Sequence, residues 1–352
     1  LSAAAGLPLP QVVKAGLGSG RELATMLDLS KCIGCEECVY ACREANEKYM
    51  PGNPKKPFPK MYPARVKVED WSERQEVTDR LTPYNWLYIQ RAEVAWQGEE
   101  VEVNIPRRCM HCQNPPCVNL CPWGAAKKQD NGLSRLDPDF CLGGAKCRTV
   151  CPWHIPQRQT GVGLYLDLAP GLAGNGVMYK CHRCYEKLDQ GEVPACIEAC
   201  PEQVQTIGPR EEILAMAHAR AEEINGYIYG EHENGGTNTI YVSPVPFEEI
   251  DNVLEKELQE TMKSESGGVG RKHVQGRGPG REQKVGIGRA VRQGRPHLGP
   301  VENSMAKQEN LTAALLLAPV AGAAVAWAKV RKFLGRTEET GADGKEGQSN
   351  GE

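Results

Sequence analysis

At 352 residues the chain has room for two ordinary domains, yet only 40% of its residues are apolar and 6% aromatic. A net charge of −3 does not suggest nucleic acid as the main partner, although basic residues gather near the C-terminus. The fifteen cysteines are an odd number, which excludes a fully paired disulfide framework, and they exceed what a metal-free cytosolic enzyme of this size carries.

The first residues, from Leu1, are small and apolar, like the tail of a signal peptide; an ordinary N-terminal extension is the other reading. The first cysteine run is Cys32-Ile-Gly-Cys35-Glu-Glu-Cys38-Val-Tyr-Ala-Cys42, followed by Arg43. Residues 38–47 are expected to form a short helix, with Cys38 and Cys42 one turn apart on one face. Residues 51–82, rich in Pro, Lys and charge, read as a surface excursion. Alternation over 86–93 and 100–105 predicts two strands around Gln97-Gly98, a hairpin read as an insertion without a role in electron transfer.

The second run is Cys109-Met-His-Cys112, then Cys117 and Cys121-Pro122. Asp130-Asn131-Gly132 marks a tight turn between short strands. The third run is Cys141-Leu-Gly-Gly144-Ala-Lys-Cys147, then Cys151-Pro152, with Gly144 where a second cysteine would stand. The apolar stretch 160–178 suits either a docking surface or a place in the core; its Gly161-Val-Gly163 lacks the strand and helix of a nucleotide loop. The fourth run is Cys181-His-Arg-Cys184, then Cys196-Ile-Glu-Ala-Cys200-Pro201.

Short spacings on a turn bring three thiolates to one point, and in two-cluster ferredoxins the cysteine before proline ligates the other iron–sulfur cluster. Four repeats of this pattern amount to a duplicated two-cluster ferredoxin. Fifteen cysteines fall one short of the sixteen needed for four cubane clusters. Zinc is the rival for any Cys-x-x-Cys pair, but it usually takes two separated pairs and suits closely spaced fours poorly. His111 and His182 lie inside the turns and are read as supporting residues, since histidine ligation of such clusters is the minority case.

Further on, Pro209 precedes a predicted helix over 211–224, residues 235–244 form a turn into a strand, and 247–263 an amphipathic helix. Residues 265–300 turn to Gly and Arg, a linker read as a solvated arm on a partner subunit rather than a lipid or RNA binder. Residues 311–328 are uncharged, at the short limit for a membrane span. Lys329, Arg331, Lys332 and Arg336 follow, so the positive-inside rule puts the C-terminus in the cytoplasm and the cysteine-rich part on the outer face. A signal remnant agrees with that orientation, and folded export of preassembled clusters implies a twin-arginine route.

The expected fold is α+β: a duplicated two-[4Fe-4S] ferredoxin-like domain, loop-rich, with a single C-terminal transmembrane helix. Its layout is an N-terminal extension or signal remnant (1–24), the four-cluster domain (25–250), a helix and Gly/Arg-rich linker (251–306), the membrane helix (307–335) and a cytoplasmic tail (336–352).

Four such runs before one C-terminal span resemble the four-cluster iron–sulfur subunits of membrane-bound oxidoreductases. That family includes the electron-transfer subunit of hydrogenase-2, the beta subunit of formate dehydrogenase-N and relatives in the dimethyl sulfoxide and nitrate reductases. The likeness covers about residues 25–250 and the tail, with local matches at Arg108-Cys-Met-His-Cys112, Ile207-Gly-Pro-Arg-Glu-Glu212 and Tyr229-Gly-Glu-His-Glu-Asn-Gly-Gly-Thr237. The chain resembles the hydrogenase-2 branch in particular through Gly230 to Thr237 and Val245-Pro-Phe-Glu-Glu-Ile-Asp251.

The resemblance implies a crossed set of ligands. Cys32, Cys35, Cys38 and Cys200 would hold the first [4Fe-4S] cluster, and Cys181, Cys184, Cys196 and Cys42 the second. Cys109, Cys112, Cys117 and Cys151 would hold the third. Cys141, Cys147 and Cys121 remain for the fourth, which with Gly144 would be a [3Fe-4S] cluster of high potential. A four-iron cluster completed by water, Lys146 or Asp139 is the rival.

The family further implies a non-catalytic subunit lying between a catalytic partner (a nickel–iron hydrogenase or a molybdenum/tungsten enzyme) and an integral membrane subunit that binds quinone or haem. Its place would be the inner membrane, single-pass, with the clusters on the periplasmic side. No catalytic triad, phosphate loop or open metal site appears in the sequence. A free-standing redox sensor or scaffold is the alternative from another class.

Overall fold

The computed structural model describes residues 21–61, 66–168, 170–171 and 174–266. Its organising element is a four-stranded sheet that joins the two ends of the described chain. Strand β1 (Leu23–Asp28) lies at the centre, antiparallel to β8 (Gln205–Pro209) and parallel to β10 (Thr239–Ser243); β9 (Tyr227–Tyr229) completes the edge beside β10.

Strand alternation gives this sheet two apolar faces. Ala24, Met26, Ile240 and Val242 face the helix Arg210–Glu223 and meet its Ile213, Ala217 and Ala221, which recur one turn apart. Pro209 stands at that helix's N-cap, with Glu211 and Glu212 in its first turn, where carboxylates suit the positive helix end. Leu23, Leu27 and Tyr241 face the other way, into a core that also contains most of the buried cysteines.

The rest of the chain loops out between β1 and β8. A helix α1 (Glu37–Asn46) follows the first cysteine turn. Strands β2 (Tyr88–Trp96) and β3 (Glu99–Arg107) pair antiparallel about Gln97 and Gly98, both at positive φ as the two-residue hairpin turn requires. Helix α2 (Pro116–Asn119) bears Cys117; β4 (Ala126–Lys128) and β5 (Ser134–Leu136) pair across the Asp130–Gly132 turn. Helix α3 (Lys146–Val150) bears Cys147. Strands β6 (Gln157–Thr160) and β7 (Gly176–Tyr179) pair and are buried throughout, flanking α4 (Tyr165–Leu168). Helices α5 (Tyr185–Asp189) and α6 (Ala195–Glu198) lead back to β8, and α7 (Arg210–Glu223) and α8 (Phe247–Ser266) are the last helices among the described residues.

Two sequence expectations change here. The stretch 51–82 is not a mere excursion: Trp71 and Leu81 are 4% and 3% exposed. Its backbone docks on β6, with Thr160 N–H donating to Glu69 O (2.9 Å) and Trp71 N–H to Gln159 Oε1 (2.9 Å). The apolar stretch 160–178 divides, its strand β7 entering the core while Leu164 and Leu168 stay exposed. Among the described residues, no helix is long and apolar enough to cross a membrane; the expected span at 311–328 and the linker from 267 onward lie outside them.

Candidate iron–sulfur centres

The backbone repeats wherever a cysteine run begins. The residue two places after the first cysteine is Gly34, His111, Gly143 or Arg183, and each has positive φ (69°, 47°, 65° and 56°). This left-handed position turns a backbone N–H back toward sulfur: Gly143 N–H donates to Cys141 Sγ (3.4 Å) and Arg183 N–H to Cys181 Sγ (3.3 Å). For side chains other than glycine the conformation is strained, so it must be held from elsewhere. Ser134 N–H donates to His111 Nδ1 (3.1 Å), while the Arg183 guanidinium donates to Leu23 O, Asn238 O and Thr239 Oγ1 (3.0, 2.7 and 3.0 Å).

Gly144 keeps the register of Cys35. Helices α1 and α3 both begin after a left-handed residue, Glu36 (φ 65°) and Ala145 (φ 56°), one place beyond Cys35 and Gly144 respectively. The third run therefore has the turn of the first without its second sulfur.

The fold then brings distant cysteines together. Pairing of β1 with β8, together with Asp28 N–H donating to Val204 O (2.8 Å), sends Cys32 and Cys200 out at the same end of the sheet. A cavity there is lined by Cys32, Cys35, Cys38 and Cys200 with Pro106 and Val204. Burial pushes the Cys32 and Cys38 thiols up, and the nearby Cys200 adds to both. Burial also raises Cys42 well above its ordinary value, with Cys196, Cys181 and Cys184 as neighbours. The same holds for Cys112, beside Cys117, Cys151 and Cys109, and for Cys147, beside Cys117, Cys141 and Cys121. Cysteines far apart in sequence thus lie close to one another.

Three further pairs are close enough for one sulfur to disfavour ionisation of the other: Cys38 and Cys196, Cys181 and Cys109, Cys147 and Cys117. Among the described residues, no three Cys, His, Asp or Glu side chains form a site for a single metal ion. The donors of a multi-iron cluster stand farther apart than those around one zinc.

Buried cations lie among these groups. Arg108 (2% exposed) donates from Nη1 to Cys196 Sγ (2.9 Å), and its Nε and Nη2 have no hydrogen-bond partner among the described residues. Lys180 (5% exposed) donates to Cys109 Sγ (3.4 Å). Burial works against both charges, yet the neighbouring sulfurs hold both groups above their ordinary pKa. A buried cation without a carboxylate calls for another anion, and a thiolate-bound cluster supplies one. The residues present therefore fit iron–sulfur clusters in donor set and in charge.

Other donors were not legible in the sequence. Asn234 Nδ2 donates to Cys112 Sγ (3.4 Å), and Asn46 Nδ2 reaches Cys42 and Cys184 Sγ (3.7 and 3.8 Å). With Nδ1 of His111 accepting from Ser134, its Nε2 carries the proton and faces Cys181 Sγ (3.9 Å). Burial lowers His182 to about 4, so it stays neutral, ringed edge-on by Tyr49, Trp86 and Tyr185 (4.9, 5.2 and 5.1 Å). A signal did exist for the cations: Arg108 and Lys180 each directly precede the first cysteine of a run. The hairpin, read as an insertion, holds the first turn, Asn104 Nδ2 donating to Cys32 O (3.2 Å) and Arg91 to Gly34 O (3.0 Å).

Comparison with known families agrees with this geometry. Two profiles, each described as a 4Fe-4S dicluster domain, match residues 31–125 and 101–210. The chain carries two 4Fe-4S dicluster domains. It is 32% identical to a protein of Nitratidesulfovibrio vulgaris over 62% of this chain, but spans only 54% of that relative. It is 28% identical to the hydrogenase-2 operon protein HybA of Escherichia coli O157:H7, over 69% of this chain and 76% of the relative. The iron–sulfur subunit of the nitrate-inducible formate dehydrogenase of Escherichia coli K12 is 27% identical, over 63% and 68%. The dicluster domains are thus duplicated, with mixed helix and strand, as the sequence implied.

Proposed function

We propose that this protein is the electron-transfer subunit of a membrane-bound oxidoreductase and is not itself a catalyst. The observation that carries the reading is the set of buried cysteines with two cations, Arg108 and Lys180, set against their sulfurs. Bound there, iron–sulfur clusters supply one-electron carriers. The chain's residues hold them in line, exclude water and aim amides and cations at the sulfurs.

In this reading Cys32, Cys35, Cys38 and Cys200 hold the first [4Fe-4S] cluster; Cys42, Cys181, Cys184 and Cys196 the second; Cys109, Cys112, Cys117 and Cys151 the third. Cys121, Cys141 and Cys147 hold a [3Fe-4S] cluster, Gly144 offering no donor. Cys35 is the exposed member of the first group, which suits that end for exchange with a catalytic subunit, a hydrogenase or a molybdenum or tungsten enzyme. The fourth group would face an integral membrane subunit carrying quinone or haem. Similarity to HybA and to a formate dehydrogenase iron–sulfur subunit supports such a complex. The charge asymmetry after residues 311–328 supports an inner-membrane anchor with the clusters on the periplasmic side.

Anaerobic electron paramagnetic resonance with iron analysis tests this. The expected protein is brown, holds about fifteen irons per chain and gives an oxidised-state signal of a three-iron centre. A colourless protein without iron overturns the relay. About sixteen irons and no such signal overturns the three-iron assignment alone.

A further inference from the structure

The four groups differ in what touches their sulfurs. In the outer two, the sulfur contacts come from backbone amides: Val204 N–H to Cys200 Sγ in the first, and Gly143 and Met178 N–H to Cys141 Sγ in the fourth (each 3.4 Å). In the inner two they include a buried full charge, Arg108 on Cys196 and Lys180 on Cys109.

Lys180 is placed by β7, which ends at Tyr179 and carries the ammonium inward. Its Nζ donates to Cys109 Sγ (3.4 Å), to Cys181 O (3.1 Å) and to Ser134 O. The two carbonyls fix its position but cannot neutralise it, and none of these partners is a carboxylate. Cys109 belongs to the third group and Cys181 to the second, so the charge sits at their junction. Adding an electron to either cluster adds negative charge in a water-poor interior, where Coulomb terms are large. A fixed cation stabilises the reduced state more than the oxidised one, and also screens repulsion between neighbouring reduced centres.

We propose that Lys180 sets the potential of the third centre, raising it so that an electron passes from the second group to the third without an uphill step. Lys180 acts through Cys109 and is a positioning and charge-setting residue. The inference rests on the relay reading above.

The test is a redox titration of the full chain followed by electron paramagnetic resonance, on wild type, Lys180→Gln, Lys180→Met and Lys180→Arg, with iron measured in each. Both neutral variants should lower the third centre's reduction equilibrium at least tenfold, which is 59 mV for one electron. Lys180→Arg should stay within threefold of wild type, and the first and fourth centres should not move.

Neutral variants with full iron and an unmoved third centre overturn the proposal. So does an equal shift of all four centres, or an arginine variant that shifts as far as the neutral ones. Should the neutral variants fail to load the third cluster, the arginine variant decides, a shift beyond tenfold overturning it. A wild-type protein without iron would instead sink the relay reading.

Discussion

Glu69 comes from a stretch whose composition reads as surface, yet its carboxylate is 9% exposed and accepts from two guanidinium groups. Arg148 grips it with both terminal nitrogens (2.7 and 2.8 Å), and Arg158 Nη2 donates at 2.6 Å. Arg148 lies on α3 beside Cys147, while Arg158 also donates to Gly143 O (2.9 Å) in the turn after Cys141. One carboxylate therefore ties segment 66–82 to both sides of the fourth cysteine group. Glu69→Ala would take this shared carboxylate away from two guanidinium groups, 17% and 5% exposed. Breaking a buried pair in this way costs about 3–5 kcal/mol, and the partial exposure of Arg148 favours the lower figure. About 3 kcal/mol is roughly a hundredfold in a local opening equilibrium. Iron from the fourth centre alone should then reach a chelator roughly a hundredfold faster, followed by the loss of that centre's paramagnetic signal. Glu73→Ala is the control: Glu73 pairs with Lys56 but is 84% exposed, and is worth about 0–1 kcal/mol. If Glu69→Ala releases iron no faster than Glu73→Ala, the carboxylate does not clamp the site and the reasoning fails.

Gly144→Cys should restore the missing donor, raising iron from about fifteen to about sixteen per chain and abolishing the oxidised-state signal; persistence of that signal would mean the turn cannot present a sulfur there. Gly176→Ala would set a Cβ 2.1 Å from Gln159 O, so the β6–β7 pairing must open. A cost of about 1–3 kcal/mol is expected, read as a lower thermal midpoint, and an unchanged midpoint would show that the ladder yields freely.

Much of the fold could be read because cysteine spacing is a local signal. The turn around Cys32, the helix after it and the hairpin at Gln97-Gly98 each depend on residues near in sequence, and each stands close to where spacing or alternation puts it. The burial of Glu69 and Trp71 depends instead on Arg148, Gln159 and Thr160, far along the chain, and no periodicity announces it. The aromatic ring about His182 is drawn from three separate places, Tyr49, Trp86 and Tyr185. Arg108 and Lys180 look like solvated charges until the fold surrounds them with sulfur.

The pairing of β1 with β8 and β10 also bears on the order in which the protein is made. Cys32 leaves the ribosome early, but its partners across the sheet come only with Cys200 and the strands after it. The groups between Cys109 and Cys151 close over far shorter stretches of chain, at lower loop entropy. During synthesis at about 5–20 residues per second, the inner half can fold while the first thiols stand open, Cys35 among the most exposed even when folding is complete. Cluster insertion should therefore run from the middle of the sequence outward, the first group last, and the third group is completed only when Asn234, Thr237 and Thr239 arrive after β8 to meet Cys112 and Cys109.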